Sequence, residues 1–572
     1  MANEKTVEGT HEPAGRAWLL LGVFTLSIFL SAFLLFSVQP MFTKLVLPLL
    51  GGSSSVWNTA MVFFQAMLLG GYIYAHLISK YLQLGWQVIC HVIVLSAGLF
   101  FLPLAIASGW TPPDGGAQAY WMIALFAVSV GVPFFAISAN APLLQRWFSR
   151  TDDKDADDPY FLYAASNVGS LLSLCLYPVL FEPMLKLQTQ TQTWAIGYVA
   201  LIAVIMLAGI AALRRPRAAS APEEKAAKPV TAIAAKTRLF WIFLAFVPSS
   251  LMLGVTTFMS TTIASVPFLW IVPLALYLLT FIIVFAKSPI VTTAQLAKLF
   301  PWVILVAVTA GFGFVRPVVP LILISLICYF IIALTSHSRL ADSRPEATHL
   351  TEFYIWMSVG GVLGGIFNAL VAPVIFNGVH EYILVLVIAN FVAPAVLKVS
   401  GRTFTPMQFL LFVAIPAWMI FLYAVSQGFM FYFAGAILGC VMTAGLTYMF
   451  GRGKAMWAGF ALLAGFIVLA PTLHQRPILS DRSFYSVLTV RELQSEYGPV
   501  RAFQHGNTLH GLQFRDEAMR TTPLAYYGQG NTFDFAMQAA RRGKPDQNVV
   551  VIGLGVGGIA CYEQPDDKWV YL

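Results

Sequence analysis

Charge is what this sequence lacks most. Asp, Glu, Lys and Arg make up only 10% of its 572 residues, whereas hydrophobic residues make up 58% and the mean hydropathy is +0.75. Soluble globular proteins carry about 25% charged residues. The shortage therefore excludes a water-soluble fold for most of the chain, and the abundance of apolar residues excludes a disordered one. A membrane protein that crosses the bilayer many times remains.

Cysteine is scarce too, and a cleavage site is missing from the N-terminal region. The first apolar run, Ala17 to Val38, is long enough to span a bilayer and has no small-residue cleavage site behind it, so no cleavable signal peptide is predicted. The cysteines show neither metal-site spacing nor a disulfide framework, and no metal is predicted. They are Cys90, Cys175, Cys328, Cys440 and Cys561.

Apolar runs of about 20 residues recur along the chain, and each can cross a hydrocarbon core of about 30 Å. About fifteen such runs predict a polytopic α-helical membrane protein with the lipid bilayer as its main partner. The predicted runs begin near Ala17, Val56, Trp86, Tyr120, Tyr160, Trp194, Phe240, Val266, Leu299, Val318, Phe353, Glu381, Gln408, Gly428 and Met456.

Positive charge alternates between successive loops. The N-terminal tail and the even-numbered loops hold 21 Lys and Arg residues, whereas the odd-numbered loops hold only Lys44, Lys186 and Arg316. Such a bias indicates that the N-terminus and the even loops are cytoplasmic. The formal net charge of +8 is thus explained by membrane topology, and no nucleic-acid partner is predicted.

The chain divides into six predicted segments. Residues 1–16 form an N-terminal tail, 17–213 a first membrane bundle, and 214–238 a flexible cytoplasmic linker rich in Ala, Pro, Lys and Glu. Residues 239–472 form a second membrane bundle. Residues 473–572 hold 10 Lys or Arg and 10 Asp or Glu, a third of all charges, which predicts a soluble region with a boundary near residue 530.

The two bundles share short sequence patterns six runs apart. Ser166–Gly169 followed by Pro178–Phe181 resembles Ser358–Gly361 followed by Pro373–Phe376. The second and eighth runs each open with Ser-rich sequence and a tryptophan, followed seven residues later by an aromatic residue. These pairs are Trp57 with Phe64 and Trp270 with Tyr277. A six-plus-six repeat with extra helices is typical of transporters. Because the match needs a three-residue gap, a chance resemblance stays an alternative.

Several polar side chains lie inside the predicted spans, where they are costly and often functional. The simpler explanation for each is a hydrogen bond across a helix interface. The small-residue face of Gly360, Gly361, Gly364 and Gly365 predicts close helix packing. The polar side chains are Gln65, His76, His91, Asn140, Asn167, Asn368 and Asn390.

Strand patterns dominate the soluble region. Phe484–Val490, Val500–Gln504 and Leu509–Phe514 are predicted strands, Phe533–Arg542 a helix, and Val549–Ile552 a fully buried strand. The turn that follows, Gly553-Leu-Gly-Val-Gly-Gly, leads into a predicted helix start at Ile559–Tyr562 and a further strand at 568–572. Glycines in such a turn let the backbone approach a nucleotide-type cofactor, although an ordinary strand-to-helix turn also needs small residues.

The C-terminal motifs resemble those of the spermidine synthase (polyamine aminopropyltransferase) superfamily. They are Asp481–Val487, His505–Gln513, Pro523–Tyr527 and the glycine turn. The whole chain resembles bacterial membrane proteins in which a transporter-like multi-span region is fused to a spermidine synthase-like domain. The membrane motifs that carry this resemblance are 39–42, 48–52, 141–147, 163–167 and 351–354.

The resemblance implies a small β-stranded lid at 473–530 and a partial Rossmann-like α/β domain at 531–572, truncated at its C-terminus. It implies the bacterial inner membrane as the location and decarboxylated S-adenosylmethionine, or a related adenosyl donor, as the cofactor. The cofactor would lie against Gly553, Gly555, Gly557 and Gly558. The amine or polyamine substrate would meet the lid residue Gln513, with His510 and Tyr527 beside it.

Two departures from the family weaken that implication. Val556 stands where the family turn usually carries Asp, and 518–522 lacks the expected Tyr-His-Glu segment. A cationic donor and a diamine both need carboxylates to offset their charge. The family's catalytic carboxylate would lie beyond Leu572, so the catalytic residues are unknown.

Two functions therefore stay open. In the first, an adenosyl donor gives its aminopropyl or related group to an amine. In the second, the bundle is a secondary transporter or exporter, and the C-terminal domain is a degenerate sensor or scaffold. The charge bias with fifteen spans puts that domain outside the cell, whereas an adenosyl donor is cytoplasmic, so its side stays open. The oligomeric state also stays open.

Overall fold

The computed structural model describes residues 14–392 and 477–572. The description omits positions 114, 154, 157–158, 160, 216–232, 263–266, 286–289, 312–317, 347–348, 507, 545 and 554. The chain forms two compact units. The first comprises Met1–Ser260, Ala264–Ile375 and Ile388–Pro394, and the second comprises Thr261–Ile263, Phe376–Val387 and Ala395–Leu572.

Helices make up most of the described residues before 393. The first group is α1 Ala14–Leu50, α2 Ser54–Tyr81, α3 Leu84–Ala97, α4 Gln118–Ser129, α5 Gly131–Ser138, α6 Asn140–Phe148, α7 Phe161–Leu176, α8 Glu182–Met184 and α9 Leu187–Arg214. The second group is α10 Ala235–Thr262, α11 Pro267–Val284, α12 Thr293–Gly311, α13 Val318–Asp342, α14 Leu350–Ile366, α15 Ala372–Ile375 and α16 His380–Ala389.

Each of the twelve apolar runs predicted before residue 393 falls on one of these helices or on a pair joined by a short break. Within the described residues, eight helices are long and apolar enough to cross a membrane. A ninth is the bent pair Gln118–Ser129 and Gly131–Phe148, if it counts as one span. The multi-span prediction is thereby confirmed at this coarser level. The runs predicted near Gln408, Gly428 and Met456 lie outside the described residues.

The first unit contains an internal repeat, which its helix pairs display. We define its first half as α1–α9 and its second half as α10–α15. The second helix of the first half, α2, packs on α14, and α7 packs on α11. In the repeat, α2 corresponds to α11 and α7 corresponds to α14. Exchanging the halves therefore converts the α2–α14 pair into the α11–α7 pair, as a twofold relation requires. In addition, a five-residue π-helical turn follows both α7 and α14, at Tyr177–Phe181 and Phe367–Val371.

Two glycines at equivalent positions of the two halves, Gly169 and Gly360, make equivalent close contacts with a neighbouring helix. A Cβ atom added to Gly169 of α7 would lie 2.6 Å from the carbonyl oxygen of Phe29 in α1. One added to Gly360 of α14 would lie within 2.3 Å of the carbonyl oxygen of Ile242 in α10. Phe29 and Ile242 are 213 residues apart, as are Trp57 and Trp270. The repeat is therefore not a chance resemblance. The predicted match of Ser166–Gly169 with Ser358–Gly361 was nevertheless off by one residue, because the structure pairs Gly169 with Gly360. The predicted close packing at Gly360 and Gly364 is confirmed.

The second unit holds two small sheets. Strands β1 Leu479–Arg482, β2 Val487–Ser495, β3 Gly498–His505 and β4 Thr508–Phe514 form an antiparallel sheet in chain order. Helix α17, Thr532–Gly543, precedes β5 Asn548–Val551, which pairs in parallel with β6 Lys568–Tyr571. The predicted pair β3–β4, the helix and the last two strands are confirmed within a few residues.

Other predictions for this unit were wrong in detail. Strand β1 was not predicted, and β2 begins at Val487 because Phe484 and Tyr485 lie in the turn before it. The strand at 549–552 is not fully buried: Val550 is 62% exposed and Ile552 88% exposed, since β5 pairs only with β6 in the described residues. The expected helix start is a five-residue 3₁₀ helix, Gly558–Tyr562, and Pro565 follows closely enough to prevent its continuation.

A buried ion pair and two further hydrogen bonds join β1 to residues 377–381 of the same unit, at the start of α16. The guanidinium of Arg482 binds the Glu381 carboxylate through two hydrogen bonds of 2.9 and 2.8 Å. The same guanidinium donates to the carbonyl oxygen of Gly378 at 2.7 Å, and Ser480 donates to that of Asn377 at 3.0 Å. Glu381 begins the twelfth predicted apolar run, and its side chain is only 1% exposed.

Candidate functional site

A cavity of about 140 Å³ lies among the helices of the first unit. Along α2 its lining residues lie between Met61 and Tyr72, and along α11 between Leu274 and Phe281. Helix α7 contributes Ser166, Asn167 and Ser170, and helix α14 contributes Met357, Ser358 and Gly361. Further lining residues are Ser31, Ala32, Leu35, Phe36, Gln39, Phe64, Gln65, Leu68, Phe134, Ile137, Ser138, Ala141, Tyr163, Met252, Tyr277 and Leu278.

The lining residues follow the internal repeat. On α7 and α14 the contributing positions are related by a shift of 191 residues: 166 with 357, 167 with 358, and 170 with 361. On α2 and α11 the shift is 213 residues: 61 with 274, 64 with 277, 65 with 278, and 68 with 281. Because both halves contribute equivalent positions, the cavity lies on the twofold axis that relates them.

Two pairs of equivalent aromatic residues contact each other on the same axis. The Trp57 and Trp270 ring centroids are 6.2 Å apart, and those of Tyr163 and Tyr354 are 5.5 Å apart in a stacked arrangement. Tyr72 also contacts Tyr354, at 5.9 Å. Fifteen residues separate Trp57 from Tyr72, which is about 22 Å along a helix. The two pairs therefore lie at opposite ends of the cavity, and each takes one ring from each half.

Within the part of the chain that the structure describes, two buried polar atoms on side chains that line the cavity have no hydrogen-bond partner. They are Oε1 of Gln65 and Nδ2 of Asn167, the latter on a side chain only 4% exposed. Buried polar atoms without partners cost free energy, so a native protein retains few of them. Among the described residues that line the cavity, none is Asp, Glu, Lys, Arg or His.

The other polar side chains predicted inside spans mostly hold helices together. Asn140 shares a hydrogen bond of 2.6 Å with His91 and donates to Ser31 at 2.8 Å, which joins α6 to α3 and α1. Asn368 donates to Ser250 of α10, and His76 bonds Thr351 of α14 at 2.7 Å. Interface hydrogen bonding is thus confirmed for these residues. Asn167 differs, since its Nδ2 has no hydrogen-bond partner within the described residues, and the Asn390 side chain lies outside them.

The glycine turn of the second unit adopts the conformation that its sequence requires. Gly553, Gly555 and Gly557 have φ angles of +81°, +56° and +71°, which side-chain-bearing residues rarely adopt. The turn lacks the α-helix start whose N–H groups would hold a phosphate, because a short 3₁₀ helix follows. The side chain of Val556 fills the space beside Gly511, where a Cβ would lie within 2.1 Å of it.

The predicted substrate residues lie around this turn but on different surfaces. Tyr527 has its ring beside Gly558, 3.2 Å from where a Cβ would stand, and its carbonyl oxygen accepts from the Tyr562 hydroxyl at 2.6 Å. Gln513 is exposed on β4 and shares a face with Gly511. His510 is the extra residue of a β-bulge opposite Phe503 and Gln504. Its ring lies 5.4 Å from that of His505.

Contacts within the fold explain the shifted pKa values of two ionisable side chains in this unit, His505 and Asp567. Partial burial, and then the neighbouring His510, lower the pKa of His505. The Asp567 carboxylate binds the Arg541 guanidinium at 2.6 Å and accepts from the backbone N–H groups of Gln547 and Gln564. The Arg541 side chain, followed by these N–H groups, holds the pKa of Asp567 well below its usual range. Asp567 is therefore a structural ion-pair partner.

Comparisons with known proteins give distant structural matches. No family model matches the chain, and no curated protein matches it. A POT family transporter in complex with a thioalcohol-conjugated peptide is 12% identical with a TM-score of 0.42, and the match covers 65% of this chain and 94% of that chain. The human organic anion transporter MFSD10 (TETRAN) is 13% identical with a TM-score of 0.42, covering 67% and 97%.

A third match is the proton:xylose symporter XylE, of the major facilitator superfamily, bound to 6-bromo-6-deoxy-D-glucose. It is 12% identical with a TM-score of 0.43, and the match covers 67% of this chain and 95% of that chain. Similarity of this degree assigns neither a family nor a substrate to the chain. The spermidine synthase resemblance gains no support from any of these comparisons.

Sequence reasoning missed the cavity, although its signal was present. The tryptophan spacing gives a shift of 213 residues, and applying that shift along α2 and α11 would have paired Gln65 with Leu278 and Phe64 with Tyr277. Tyr163 and Tyr354 fall in the motifs that carry the resemblance, but nothing in a linear sequence shows that they touch. Only the packing of α7 against α11 and of α2 against α14 brings them together.

Proposed function

We propose that the helical unit is a secondary transporter for a small solute. The observation that carries this proposal is the cavity on the internal twofold axis, with one aromatic pair at each end. Transporters built from two such halves work by rocking one half against the other around a fixed central site. Because each aromatic pair takes one ring from each half, rocking separates the rings at one end while those at the other stay in contact.

Locking one end at a time tests this proposal without knowledge of the solute. A short bis-methanethiosulfonate would link Trp57→Cys to Trp270→Cys, or Tyr163→Cys to Tyr354→Cys, in a chain otherwise free of cysteine. Asn167→Cys in the cavity wall would then be probed with an impermeant maleimide from each side of sealed vesicles, after the linker has consumed the paired cysteines. Each lock should leave Asn167→Cys reactive from one side only, and the reactive side should differ between the two locks.

Matched controls fix the interpretation of that experiment. Asn167→Cys without a lock should react from both sides, and Ser108→Cys, at an exposed loop position, should react identically in every variant. Reactivity from the same side under both locks would contradict alternating access.

The orientation and the location belong to the same proposal. The excess of Lys and Arg in the even-numbered loops supports a cytoplasmic N-terminus in a bacterial inner membrane. The C-terminal unit is then a sensor or scaffold for the transporter, as its missing family carboxylates suggest.

The aminopropyl-transfer hypothesis has its own direct test. Titration calorimetry of the full-length protein with decarboxylated S-adenosylmethionine would detect a donor held at Gly553, Gly555, Gly557 and Gly558. Val556 packed beside Gly511 and the short 3₁₀ helix after the turn disfavour such binding. Heat of binding that is lost in Gly555→Val would restore the hypothesis.

A further inference from the structure

Hydrogen bonds join the two halves of the first unit near both ends of the cavity. The even-loop end is the one near Tyr163 and Tyr354, since α7 and α14 begin after the fourth and tenth loops. The odd-loop end is the one near Trp57 and Trp270, since α2 and α11 begin after the first and seventh loops. The two ends can therefore be compared by the contacts that each makes between the halves.

Each end has a side-chain hydrogen bond with one partner in each half. At the even-loop end, the hydroxyl of Tyr354 in α14 donates to Oε1 of Gln145 in α6 at 3.2 Å. At the odd-loop end, Nδ2 of Asn58 in α2 donates to Oγ1 of Thr257 in α10 at 2.9 Å. Separation of the halves at either end must break the hydrogen bond at that end.

The Tyr354 side chain lies among three helices of the other half. Its ring contacts Tyr72 of α2 and Tyr163 of α7, and its hydroxyl reaches Gln145 of α6. Tyr354 is 1% exposed and Gln145 is 0% exposed, so their hydrogen bond forms away from water. Without its donor, the buried Gln145 oxygen would incur a desolvation penalty in the closed form, whereas water would reach it once the end opens. The hydroxyl of Tyr354 therefore favours the closed form of this end.

The twofold equivalent of Tyr354 lacks such a bond. Tyr163 stands at the equivalent position of α7, 191 residues earlier, and the two rings stack on each other. Within the part of the chain that the structure describes, the Tyr163 hydroxyl makes no hydrogen bond, and its ring packs edge-on against Phe281 and Phe285 of α11. The aromatic contact is thus shared by both tyrosines, whereas the hydrogen bond to the opposite half comes from Tyr354.

Two further contacts fix the start of α14. The Glu352 carboxylate binds the Arg238 guanidinium of α10 at 2.8 Å, so the start of α14 moves with the second half. Thr351, one residue earlier, shares a hydrogen bond of 2.7 Å with Nδ1 of His76 in α2, which belongs to the first half. Removal of the Tyr354 hydroxyl should therefore weaken the closure of the even-loop end without abolishing it.

We propose, on the basis of the proposed transport function, that the two hydrogen bonds are opposing latches. The Tyr354–Gln145 bond holds the even-loop end closed, and the Asn58–Thr257 bond holds the odd-loop end closed. Opening at one end breaks the latch there while the other stays intact. The balance between the two bonds therefore sets the side that the cavity faces, and Tyr354 and Asn58 are positioning residues.

Removal of the Tyr354 hydroxyl tests the even-loop latch. The readout is the initial rate at which Asn167→Cys reacts with an impermeant maleimide from the even-loop side, divided by the rate from the odd-loop side. It is measured in sealed vesicles with a chain otherwise free of cysteine. Tyr354→Phe should raise this ratio roughly three- to tenfold, as expected for one lost hydrogen bond. Separate variants with Lys80→Cys and Ser108→Cys, both at exposed positions, identify the even-loop and odd-loop sides.

Matched variants separate the hydrogen bond from the ring contact. Tyr163→Phe removes the equivalent hydroxyl of the stacked pair and should shift the ratio less than Tyr354→Phe does, since no hydrogen bond is lost. Tyr81→Phe, at the exposed end of α2, should leave the ratio unchanged. Gln145→Leu removes the acceptor and should raise the ratio as Tyr354→Phe does. The double variant should add little, because both substitutions remove the same bond.

The odd-loop latch predicts the opposite shift. Asn58→Leu removes the donor to Thr257 and should lower the ratio, because the odd-loop end then opens more readily. A purely structural role of either bond would lower the melting temperature but leave the ratio unchanged.

The proposal is overturned if Tyr354→Phe leaves the ratio unchanged or lowers it, if Tyr163→Phe raises it as much, or if Asn58→Leu shifts it in the same direction as Tyr354→Phe. The end-locking experiment needs neither hydrogen bond, since its linkers hold the ends directly. If the two locks expose opposite sides but these variants do not shift the ratio, the latches are wrong and alternating access stands. If both locks expose the same side, the transport function itself fails.

Discussion

Two neighbouring glycines of α14 differ in their surroundings: one packs against another helix, and the other lines the cavity. Gly360 and Gly361 are neighbours in α14, yet a Cβ on Gly360 would lie within 2.3 Å of the Ile242 carbonyl oxygen, whereas one on Gly361 would meet nothing within 4 Å. Gly361 lines the cavity. The sequence predicted close packing for both residues, because a glycine pair carries no mark of which member faces a helix and which faces open space.

The first prediction uses that contrast. Gly360→Ala should lower the free energy of unfolding by about 1–3 kcal/mol, because the added methyl group overpacks the contact with α10. Gly361→Ala should leave it unchanged or raise it by up to about 1 kcal/mol, since alanine favours helix. Thermal or denaturant unfolding of both variants in the same detergent would measure the difference. Equal effects at the two positions would contradict the assigned faces.

A larger side chain at Gly361 gives the second prediction. Gly361→Leu should fill the cavity, so that Asn167→Cys no longer reacts with maleimide. Melting should change little. Gly22→Leu is the control, because Gly22 lies on an exposed part of α1 and a Cβ added there would also meet nothing within 4 Å. Undiminished labelling of Asn167→Cys in Gly361→Leu would show that the cavity does not extend to this glycine.

At the scale of helices and strands, hydropathy predicted the positions of elements but not their partners. Each apolar run up to residue 393 became helical because an apolar stretch in lipid must satisfy its own backbone hydrogen bonds. The strand patterns placed β3, β4, β5 and β6 correctly. The short strand β1 was missed because its residues, Leu-Ser-Asp-Arg, carry little strand propensity and pair through their contact with β2.

The parallel pair β5–β6 yields a prediction for pH. Since the folded-state pKa of Asp567 lies below the unfolded value of about 3.9, its stabilising effect is present above about pH 4 and is lost as the pH falls further. Amide hydrogen exchange in Val549–Val551, corrected for intrinsic rates, should therefore accelerate below about pH 4. Asp567→Asn should show faster exchange already near neutral pH and a weaker dependence on acid. A full acid response in that variant would assign the effect to another carboxylate, such as Asp534.

At the scale of the whole molecule, the repeat was visible in sequence only as two short motifs. Their spacing could not show that equivalent residues meet, because contact across an axis depends on how the halves face each other. The strands and the helix of the C-terminal unit were predicted in outline from strand patterns, whereas the lid and the Rossmann-like domain that the resemblance implies stay predictions. Its proposed cofactor site stays a prediction, since the turn has the expected glycines but not the expected helix behind it.

Topology gives the last prediction. In a chain otherwise free of cysteine, Tyr497→Cys would be exposed at the turn between β2 and β3, since Tyr497 is 75% exposed. It should react with an impermeant maleimide in intact spheroplasts, as Ser108→Cys in an odd-numbered loop should. Lys80→Cys, at the exposed C-terminal end of α2 beside an even-numbered loop, should react only after permeabilisation. Labelling of Tyr497→Cys only after permeabilisation would place the sheet in the cytoplasm.

The ion pair between Arg482 and Glu381 ties strand β1 to one side of the membrane, and that side determines which metabolites the C-terminal unit can meet. Glu381 begins the twelfth apolar run, and the short loop before it contains no Lys or Arg. Whichever compartment that loop faces, strand β1 must face it too, because a buried guanidinium cannot leave its carboxylate without great cost. With a cytoplasmic N-terminus that compartment is the periplasm or the medium. In that orientation the glycine turn would meet solutes from the cell's surroundings and not the cytoplasmic pool of adenosyl metabolites.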